Sequence, residues 1–481
     1  MKLKYVIAAV LLILAAGVFG GCKSVGPDFV PPEVQSPESY RFAASDAQAV
    51  DDLKWWELFD DPVLHELVST ALANNRDLKV ALSRIEEARA FYGFTRADEF
   101  PAIDIGAGGT AGNYSGSRSR DTNTNIYIAP TLSWELDFWG KFRRATAAAQ
   151  AEMLASEFGT RTVQISLVSD VASAYYQLLD YRQRLDMSRI TLESRENSLD
   201  IIQQRFDKGI IPEIDVNQAQ IQREIAAGAI PLYERLIAKT EHVLNLLMGQ
   251  LPGAIRTGDS LDNQPLPPYV PAAIPSVLLE RRPEIQQSLA LVHARNEEIG
   301  VAVAQRFPSI SLTGTLGLAS SELSNVTNQG GIWNAGAALL GPLFDFDKSK
   351  RRVDIAQEQT RQALLEYENT VLTAFGEVED ALVEVDTYRR ENAAAKRKVA
   401  AADNAATLSF ERYDKGVSSF LEVLDSERTL FSAKLEYSET KQLYFNAYVK
   451  LYKALGGGWL SPAEKDGAVN SGNAGVFPAS D

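Results

Sequence analysis

Apolar residues follow two different spacings along the chain, and the two spacings alternate. From Pro62 to Thr95 the apolar positions lie three or four residues apart, which predicts an amphipathic helix. After Phe100-Pro101, apolar and polar residues alternate one by one, which predicts a β-hairpin over about 101–138. A second hairpin is predicted over about 308–346, and its alternating apolar face carries Ile310, Leu312, Gly314, Leu316 and Leu318. Each strand would have about ten to thirteen residues, the length that a tilted strand needs to cross a bilayer.

A very long helix is predicted after each hairpin. No proline occurs from Phe142 to Phe206 or from Arg351 to Tyr413, and at about 1.5 Å per residue each helix would approach roughly 100 Å. A shorter helix returns after each long one. In the last return helix, residues recur at heptad spacing, with Ser438 as one polar member among Leu424, Phe431, Phe445 and Tyr452, and with Leu421, Leu435 and Val449 beside them. Such spacing predicts coiled-coil packing over a long distance.

The pattern occurs twice, at a constant offset of 207 residues. The segment Arg205 to Gly209 recurs as Arg412 to Gly416, and Phe100-Pro101 recurs as Phe307-Pro308. The sequence therefore predicts a tandem repeat of one unit, in the order helix, β-hairpin, long helix, return helix.

The charge and the rare residue types exclude several functional classes. The chain has 481 residues, with 48 Lys and Arg against 63 Asp and Glu, a net charge of −15. An acidic chain offers no basic stripe to neutralise phosphates, so no binding to nucleic acid is expected. One Cys and three His make a disulfide scaffold or a metal site unexpected. The sequence also contains no nucleophile elbow or phosphate-binding loop, so we expect neither an enzyme nor a non-covalent cofactor.

The N-terminus has the features of an export signal that ends at a lipidation site. Lys2 and Lys4 precede a short apolar core from Val6 to Val18, which is shorter than a transmembrane helix needs. Small residues then lead to Cys22, so we expect cleavage before Cys22 and acylation of its side chain. An ordinary secretory signal with a chance Cys is the alternative.

These features together predict the organisation of the whole chain. The predicted segments are a signal peptide at 1–21, a lipid-anchored extended segment at 22–60, the first repeat at 61–250, a proline-rich linker at 251–275, the second repeat at 276–458 and a flexible tail at 459–481.

Four strands cannot close a membrane barrel within one chain. The smallest membrane barrels use eight strands, and an open strand edge in hydrocarbon leaves costly unpaired main-chain groups. Hairpins that enter a bilayer must therefore share a barrel with other chains. Two chains would give a bore filled by side chains, whereas three would give twelve strands and a channel. A soluble hairpin, which also alternates, is the alternative.

Aromatic residues near the predicted strand ends allow two interpretations. The residues are Trp134, Phe138, Trp139 and Trp333. They are placed either to form a girdle at the membrane interface or to pack the junction between strands and helices.

Several motifs along the chain resemble those of one family. They are Cys22 to Phe29, Trp55-Trp56, Leu58 to Pro62, Asn74-Asn75, Asp77-Leu78, Asp137 to Lys141, Arg281 to Ile285 and the two Asp-Lys-Gly turns. With these motifs, nearly the whole mature chain resembles the outer-membrane efflux factor family, in the NodT/OprM-like lipoprotein branch of the TolC superfamily. The resemblance implies an α+β membrane protein and a homotrimer. Its twelve-stranded β-barrel, with four strands from each chain, would continue into a long α-helical coiled-coil barrel.

The resemblance also implies a location and partners. The protein would be lipid-anchored in the outer membrane of a Gram-negative bacterium, with a large periplasmic part, as the exit duct of a tripartite efflux system. Its partners would be sister chains, outer-membrane lipid, a periplasmic adaptor (membrane fusion) protein and an inner-membrane pump of the RND type. Type I protein secretion and metal-cation efflux are alternatives within the channel class. A periplasmic coiled-coil lipoprotein without a channel is the alternative outside it.

The two Asp-Lys-Gly turns are the candidate functional site. The resemblance implies acidic rings at the periplasmic entrance, made by Asp215, Glu422 and Asp425. It implies contacts that hold the tunnel closed near Arg205, Arg412 and Tyr413. It implies adaptor-docking tips at Gly209, Ile210, Gly416 and Val417.

A purely structural interpretation of both turns is the alternative. Gly209 followed by Pro212 reads as the end of one helix and the start of the next. Ser419 and Glu422 have the spacing of a capping box, in which both side chains would bond to helix N–H groups.

Overall fold

The computed structural model of the protein describes residues 24–34, 36–42, 59–112, 123–265, 275–322 and 330–457. The chain forms two compact units. Within the described ranges, the first unit takes residues 24–34, 83–158 and 286–369, and the second takes residues 36–82, 159–285 and 370–457. The predicted signal peptide, Cys22 and the predicted tail at 459–481 lie outside the described residues.

The same order of elements occurs twice. The first set is α1 (Pro62–Asn74), α2 (Arg76–Ala97), β1 (Ala102–Gly112), β2 (Asn123–Leu136), α3 (Lys141–Asp207) and α4 (Glu213–Leu247). The second set is α5 (Pro275–Arg281), α6 (Pro283–Ala304), β3 (Ser309–Ser320), β4 (Gly331–Leu340), α7 (Lys348–Asp414) and α8 (Phe420–Ala454). Helices α3 and α7 both have 67 residues, and α4 and α8 both have 35, so the predicted tandem repeat is confirmed.

None of the helices in the described part of the chain contains an apolar stretch sufficient to cross a membrane.

The helix predicted from Pro62 to Thr95 is in fact two helices, so the expectation of a single helix is wrong. Asn75 interrupts it with an extended ψ of 133°. Its side-chain oxygen accepts a hydrogen bond from the Leu78 N–H at 2.9 Å, and its amide donates to the Leu247 carbonyl at 2.9 Å. Asparagine favours such cap positions because its side chain replaces a missing main-chain partner.

The four strands form one antiparallel sheet in the order β1-β2-β3-β4. Cross-strand partners share a face of the sheet, so the register assigns every residue to one of two faces. Pairs on the apolar face include Ile103↔Leu132, Ile128↔Leu318, Leu312↔Ala337 and Leu316↔Trp333. Pairs on the polar face include Asp104↔Thr131, Thr131↔Thr315, Ser133↔Thr313 and Thr315↔Asn334. The alternation seen in the sequence thus separates the sheet into an apolar and a polar side.

The second hairpin ends earlier than predicted. β4 stops at Leu340, so the expected continuation to about residue 346 is wrong. At the predicted end, Phe346 and Asp347 have φ values of 50° and 65°, a left-handed conformation that is incompatible with a strand. Leu343 and Phe344 are exposed at 101% and 78%. The segment after β4 therefore presents large apolar side chains on the surface of this chain.

Two of the aromatic residues pack below the strands of the first unit. The Trp134 indole donates to the Glu99 carbonyl at 3.1 Å. The Trp139 indole donates to the Pro308 carbonyl at 2.8 Å and stacks on the Phe307 ring at 4.6 Å. These contacts fit the junction interpretation. In contrast, Trp333 lies on the apolar face with 79% of its surface exposed.

An ion network around the buried Arg144 holds the segment that follows the predicted lipidation site. The Val25 N–H donates to the Trp139 carbonyl at 3.0 Å. The Asp28 carboxylate accepts from the Arg144 guanidinium at 2.9 Å. Arg144 is buried and also donates two bonds to Glu297, at 2.8 and 3.0 Å. The network therefore ties the N-terminal segment to helices from both repeats.

The heptad positions of α8 form much of the core of the second unit. All five of them are buried: Leu424, Phe431, Ser438, Phe445 and Tyr452. The polar member, Ser438, donates to the Asp180 carboxylate at 2.5 Å, which satisfies its hydroxyl. Of the residues predicted beside the seam, Val449 is buried and Leu421 is 59% exposed.

We expect Gly317→Ala to destabilise the sheet. A Cβ at Gly317 would lie 2.4 Å from the Ala129 Cβ and 2.5 Å from the Ile128 carbonyl oxygen, and overpacking of this kind costs about 1–3 kcal/mol. The matched control is Gly314→Ala on the same strand, where the nearest atom is 3.8 Å away. Thermal unfolding of the detergent-purified variants checks the difference. Equal melting temperatures would contradict the predicted packing.

Candidate gate at the helix turns

The two Asp-Lys-Gly turns have the same main-chain geometry. In the first, Gly209 has φ +73°, its N–H donates to the Phe206 carbonyl at 2.7 Å, and the Ile210 N–H donates to the Arg205 carbonyl at 3.0 Å. In the second turn the corresponding bonds are Gly416 to Tyr413 at 2.9 Å and Val417 to Arg412 at 3.0 Å. Both helices thus end in the glycine-terminated cap that the sequence indicates.

An apolar cluster, here called the tip cluster, lies directly behind the turns. Its buried residues come from α3, α4 and α8: Ile202, Ala219, Phe420, Val423 and Leu424. Four half-buried residues pack against it: Leu199, Ile211, Val216 and Tyr413. The tip cluster therefore fixes the turns to each other by apolar contact.

Arg205 connects the first repeat to the second. Its guanidinium lies 3.3 Å from the Asp414 carboxylate and 5.1 Å from the centre of the Tyr413 ring. The Tyr413 ring in turn packs on Phe420 at 5.2 Å, and its buried hydroxyl has no hydrogen-bond partner among the described residues. Two of the three residues expected near the closing contacts, Arg205 and Tyr413, thus touch each other.

Glu422 does not complete the expected capping box, so that structural expectation is wrong. Ser419 is the N-cap residue of α8, but it makes no side-chain capping bond. The Glu422 carboxylate instead lies 3.1 Å from the Arg412 guanidinium. The full charge of Arg412 attracts a carboxylate more strongly than a neutral N–H group does.

Pro212 occupies the N-cap position of α4, and the helix begins at Glu213.

The remaining acidic residues lie in different settings. Asp425 pairs with Arg428 of its own helix at 2.5 Å. Asp215 forms no ion pair within 4 Å among the described residues, and it is half-buried. Glu213 and Asp215 lie in the first turn of α4, where the positive end of the helix dipole stabilises negative charge.

The expected docking tips are exposed. Ile210 and Val417 are 66% and 64% exposed, and they occupy the same position in the two turns. A Cβ built on Gly209 or Gly416 would meet no atom of the described residues within 4 Å. The tips therefore present apolar side chains and open space to solvent.

Two ionic partners at the turns, Asp414 and Arg428, are missing from the set of residues predicted from the sequence. Asp414 belongs to the repeated Asp-Lys-Gly motif, so its position was visible, but its pairing with Arg205 depends on how the repeats pack. Arg428 lies three residues after Asp425, and that spacing alone signals a pair on one helix face.

Within the described part of the chain, no cluster of three or more His, Cys, Asp or Glu side chains is arranged to hold a metal ion. The turns instead combine an apolar cluster with exposed ion pairs. Exposed pairs contribute only about 0–1 kcal/mol each. This arrangement can hold a conformation and release it at low cost.

Comparison with known proteins gives a consistent result. The model of the outer membrane efflux protein family matches residues 67–250 and again 274–457. The efflux pump outer membrane protein TtgC of Pseudomonas putida is 34% identical over 473 residues, covering 95% of this chain and 96% of its own length. OprJ of Pseudomonas aeruginosa is 34% identical, with 93% and 95% covered. The solved CmeC outer membrane channel of Campylobacter jejuni has a TM-score of 0.86 at 26% identity, with 93% and 98% covered.

Gly209→Ala and Gly416→Ala are expected to lower stability although each new Cβ has space. The cause is the positive φ at both positions, which costs an L-residue about 1–2 kcal/mol. The matched controls are Gly228→Ala and Gly376→Ala, where a Cβ also meets nothing within 4 Å but the glycine lies inside a helix. These should gain about 0.8–1.0 kcal/mol in stability. Thermal unfolding followed by circular dichroism measures both, and a shift of the same sign in the two sets would contradict the assignment.

Proposed function

The chain belongs to the outer membrane efflux protein family, and on that premise we propose that it is the exit duct of a tripartite efflux system. The duct conducts substrates passively from the periplasm to the exterior across the outer membrane of a Gram-negative bacterium. Three copies build it, each contributing four strands to a shared barrel and four long helices to a tunnel.

The division of the sheet into two faces carries this proposal. A sheet between lipid and a water-filled pore needs apolar residues on one side and polar residues on the other. The register places Leu316 with Trp333 on one face, and Thr315 with Thr131 and Asn334 on the other. A sheet in a soluble domain would cover its apolar face with its own chain, but Ile105 and Leu316 are 75% and 69% exposed.

The open edges of β1 and β4 support the shared barrel. In the described sheet β1 pairs only with β2, and β4 only with β3. Free edge groups in hydrocarbon are unfavourable, and a neighbouring copy supplies the missing partners. The exposed apolar residues after β4, such as Leu343, fit contact with that copy.

The partners and the anchor follow from the same role. A passive duct needs a periplasmic adaptor and an inner-membrane pump of the RND type to load it. The exposed turn tips at Gly209, Ile210, Gly416 and Val417 are the surface for the adaptor. An acyl group on Cys22 holds the N-terminal segment in the outer membrane, and the bonds of Val25 and Asp28 fix the chain that follows it.

The turns act as the gate of the duct. The ion pairs Arg205–Asp414 and Arg412–Glu422 hold the closed arrangement, and Asp215, Glu422 and Asp425 provide the acidic rings at the entrance. Three copies of each carboxylate near one axis attract cations and repel one another.

A pair of single substitutions tests the duct. Leu316→Arg puts a charge on the apolar face, where it costs about 2–4 kcal/mol at the middle of the bilayer, whereas Thr315→Arg puts it on the polar face. We expect the wild type and Thr315→Arg to purify from membranes as trimers with acylated Cys22 and to conduct ions in planar bilayers. Leu316→Arg should fail to insert.

Native mass spectrometry and conductance recordings measure these outcomes. A monomer that is soluble without detergent, or equal insertion of both variants, would contradict the proposal and favour a coiled-coil lipoprotein without a channel.

Removing the two acids nearest the second turn should weaken block by multivalent cations. We expect Glu422→Gln combined with Asp425→Asn to raise the blocking concentration, since Arg412 and Arg428 then keep unmatched positive charge. The control is Glu196→Gln with Glu224→Gln, two acids that also pair with an arginine, Arg223, at 2.8 and 2.7 Å. Titration of channel current in planar bilayers gives the comparison. An unchanged block would remove the acidic-ring assignment.

A further inference from the structure

A polar layer lies one heptad behind the tip cluster. Arg195 precedes Ile202 by seven residues on α3, and Glu427 and Phe431 follow Phe420 and Leu424 by seven residues on α8. With Gln222 of α4, the residues Arg195, Glu427 and Phe431 are here called the arginine layer. A polar group at a core position of packed helices lowers stability but can specify their register.

The Arg195 guanidinium is buried without enough hydrogen-bond partners. The residue is only 3% exposed, and one terminal nitrogen donates to the main-chain carbonyl of Gln222. Among the residues that the structure describes, its Nε and Nη2 atoms have no hydrogen-bond partner, and neither does the side-chain oxygen of Gln222. The guanidinium carbon lies 5.2 Å from the centre of the Phe431 ring, an attractive contact that does not satisfy the N–H groups. Leaving such donors unpaired is unfavourable.

A carboxylate that could pair with Arg195 lies nearby but does not reach it. Burial raises the pKa of Glu427, and the charge of Arg195 acts in the opposite direction. Burial lowers the pKa of Arg195 in turn, with Glu427 opposing that shift. Among the described residues, neither side chain has an ion-pair partner within 4 Å. Both groups therefore lose hydration in this arrangement without gaining a direct contact with each other.

We infer that Arg195 and Glu427 form a direct ion pair in a second arrangement of these helices, and that this pair stabilises the open gate. The inference rests on the proposed function as a gated duct. Glu427 lies on α8, which the second turn and the Arg412–Glu422 pair join to α7. A displacement that brings Glu427 to Arg195 of α3 therefore also moves Asp414 of α7 relative to Arg205 of α3. The contacts at the turns and the contact in the arginine layer are therefore alternatives, and packed helices favour two discrete arrangements over a continuum.

The test uses a channel whose gate contacts are weakened. In the reconstituted full-length protein, Arg205→Ser with Arg412→Ser should give a measurable open fraction in planar bilayers. Adding Glu427→Gln should lower the ratio of open to closed channels about tenfold, the change that 1.4 kcal/mol produces. Adding Arg195→Met should lower the same ratio and raise the melting temperature, because the buried charge is gone. Both changes together should lower the ratio no further than Arg195→Met does.

The matched control removes an exposed pair beside the layer. Glu196 and Arg223 pair at 2.8 Å on α3 and α4, next to Arg195 and Gln222 in sequence, and their side chains are 49% and 34% exposed. Glu196→Gln with Arg223→Gln should leave the open fraction unchanged.

Three outcomes separate the possible failures. If Glu427→Gln leaves the open fraction unchanged or raises it while the channel still conducts, the inference is overturned and the proposed function stands. If Arg195→Met does not assemble, Glu427→Gln decides alone, since it introduces no change of shape. If the background channel itself does not conduct, the proposed function and this inference both fail.

Discussion

The unpaired edges of β1 and β4 are the constraint on which the other features depend. Main-chain N–H and C=O groups in hydrocarbon need partners, and a four-stranded sheet leaves two rows of them free. The composition of the two faces excludes a simple solution within one chain, because Ile105 and Leu316 remain exposed. Further copies supply the missing strand edges, and lipid covers the apolar face. A shared barrel then explains why the polar residues stay together on one face.

Duplication gave two turns with the same main chain but different ionic contacts. Arg205 and Arg412 occupy the same position of the repeat, and so do Asp215 and Glu422. Arg412 pairs with Glu422 of the next helix, whereas Arg205 turns to Asp414 of the other repeat and leaves Asp215 without an ion pair among the described residues. Aspartate is one methylene shorter than glutamate. The first repeat thus provides the contact between repeats, and the second provides a contact within itself.

Local patterns in the sequence were sufficient for the elements but not for the ionic partners. The two spacings of apolar residues indicated the hairpins, the long helices and the sheet faces, because each spacing depends only on backbone geometry. Two local expectations failed because a group on another helix competes. Asn75 interrupts a helix and binds the Leu247 carbonyl, and Glu422 pairs with Arg412 instead of completing the capping box. Neighbours in sequence carry no information about such competition. A third expectation failed on length alone, since β4 ends at Leu340 although its sequence aligns with the longer β2.

The turns combine a buried apolar cluster with exposed ion pairs, a combination that suits a gate that opens without unfolding. The tip cluster is apolar and buried, so separating it completely would expose Ile202, Phe420 and Leu424 to water at a substantial cost. The ion pairs in front of it are exposed, and such pairs contribute little individually. A small displacement can therefore break the exchangeable contacts while the apolar residues slide over one another. The same displacement can supply a partner to Arg195 only if it brings Glu427 toward the guanidinium. The unpaired N–H groups of Arg195 lie between α3, α4 and α8, so only movement in that direction pairs them. The buried Arg195 behind the tip cluster thus favours two discrete arrangements of these helices over a continuous range of positions.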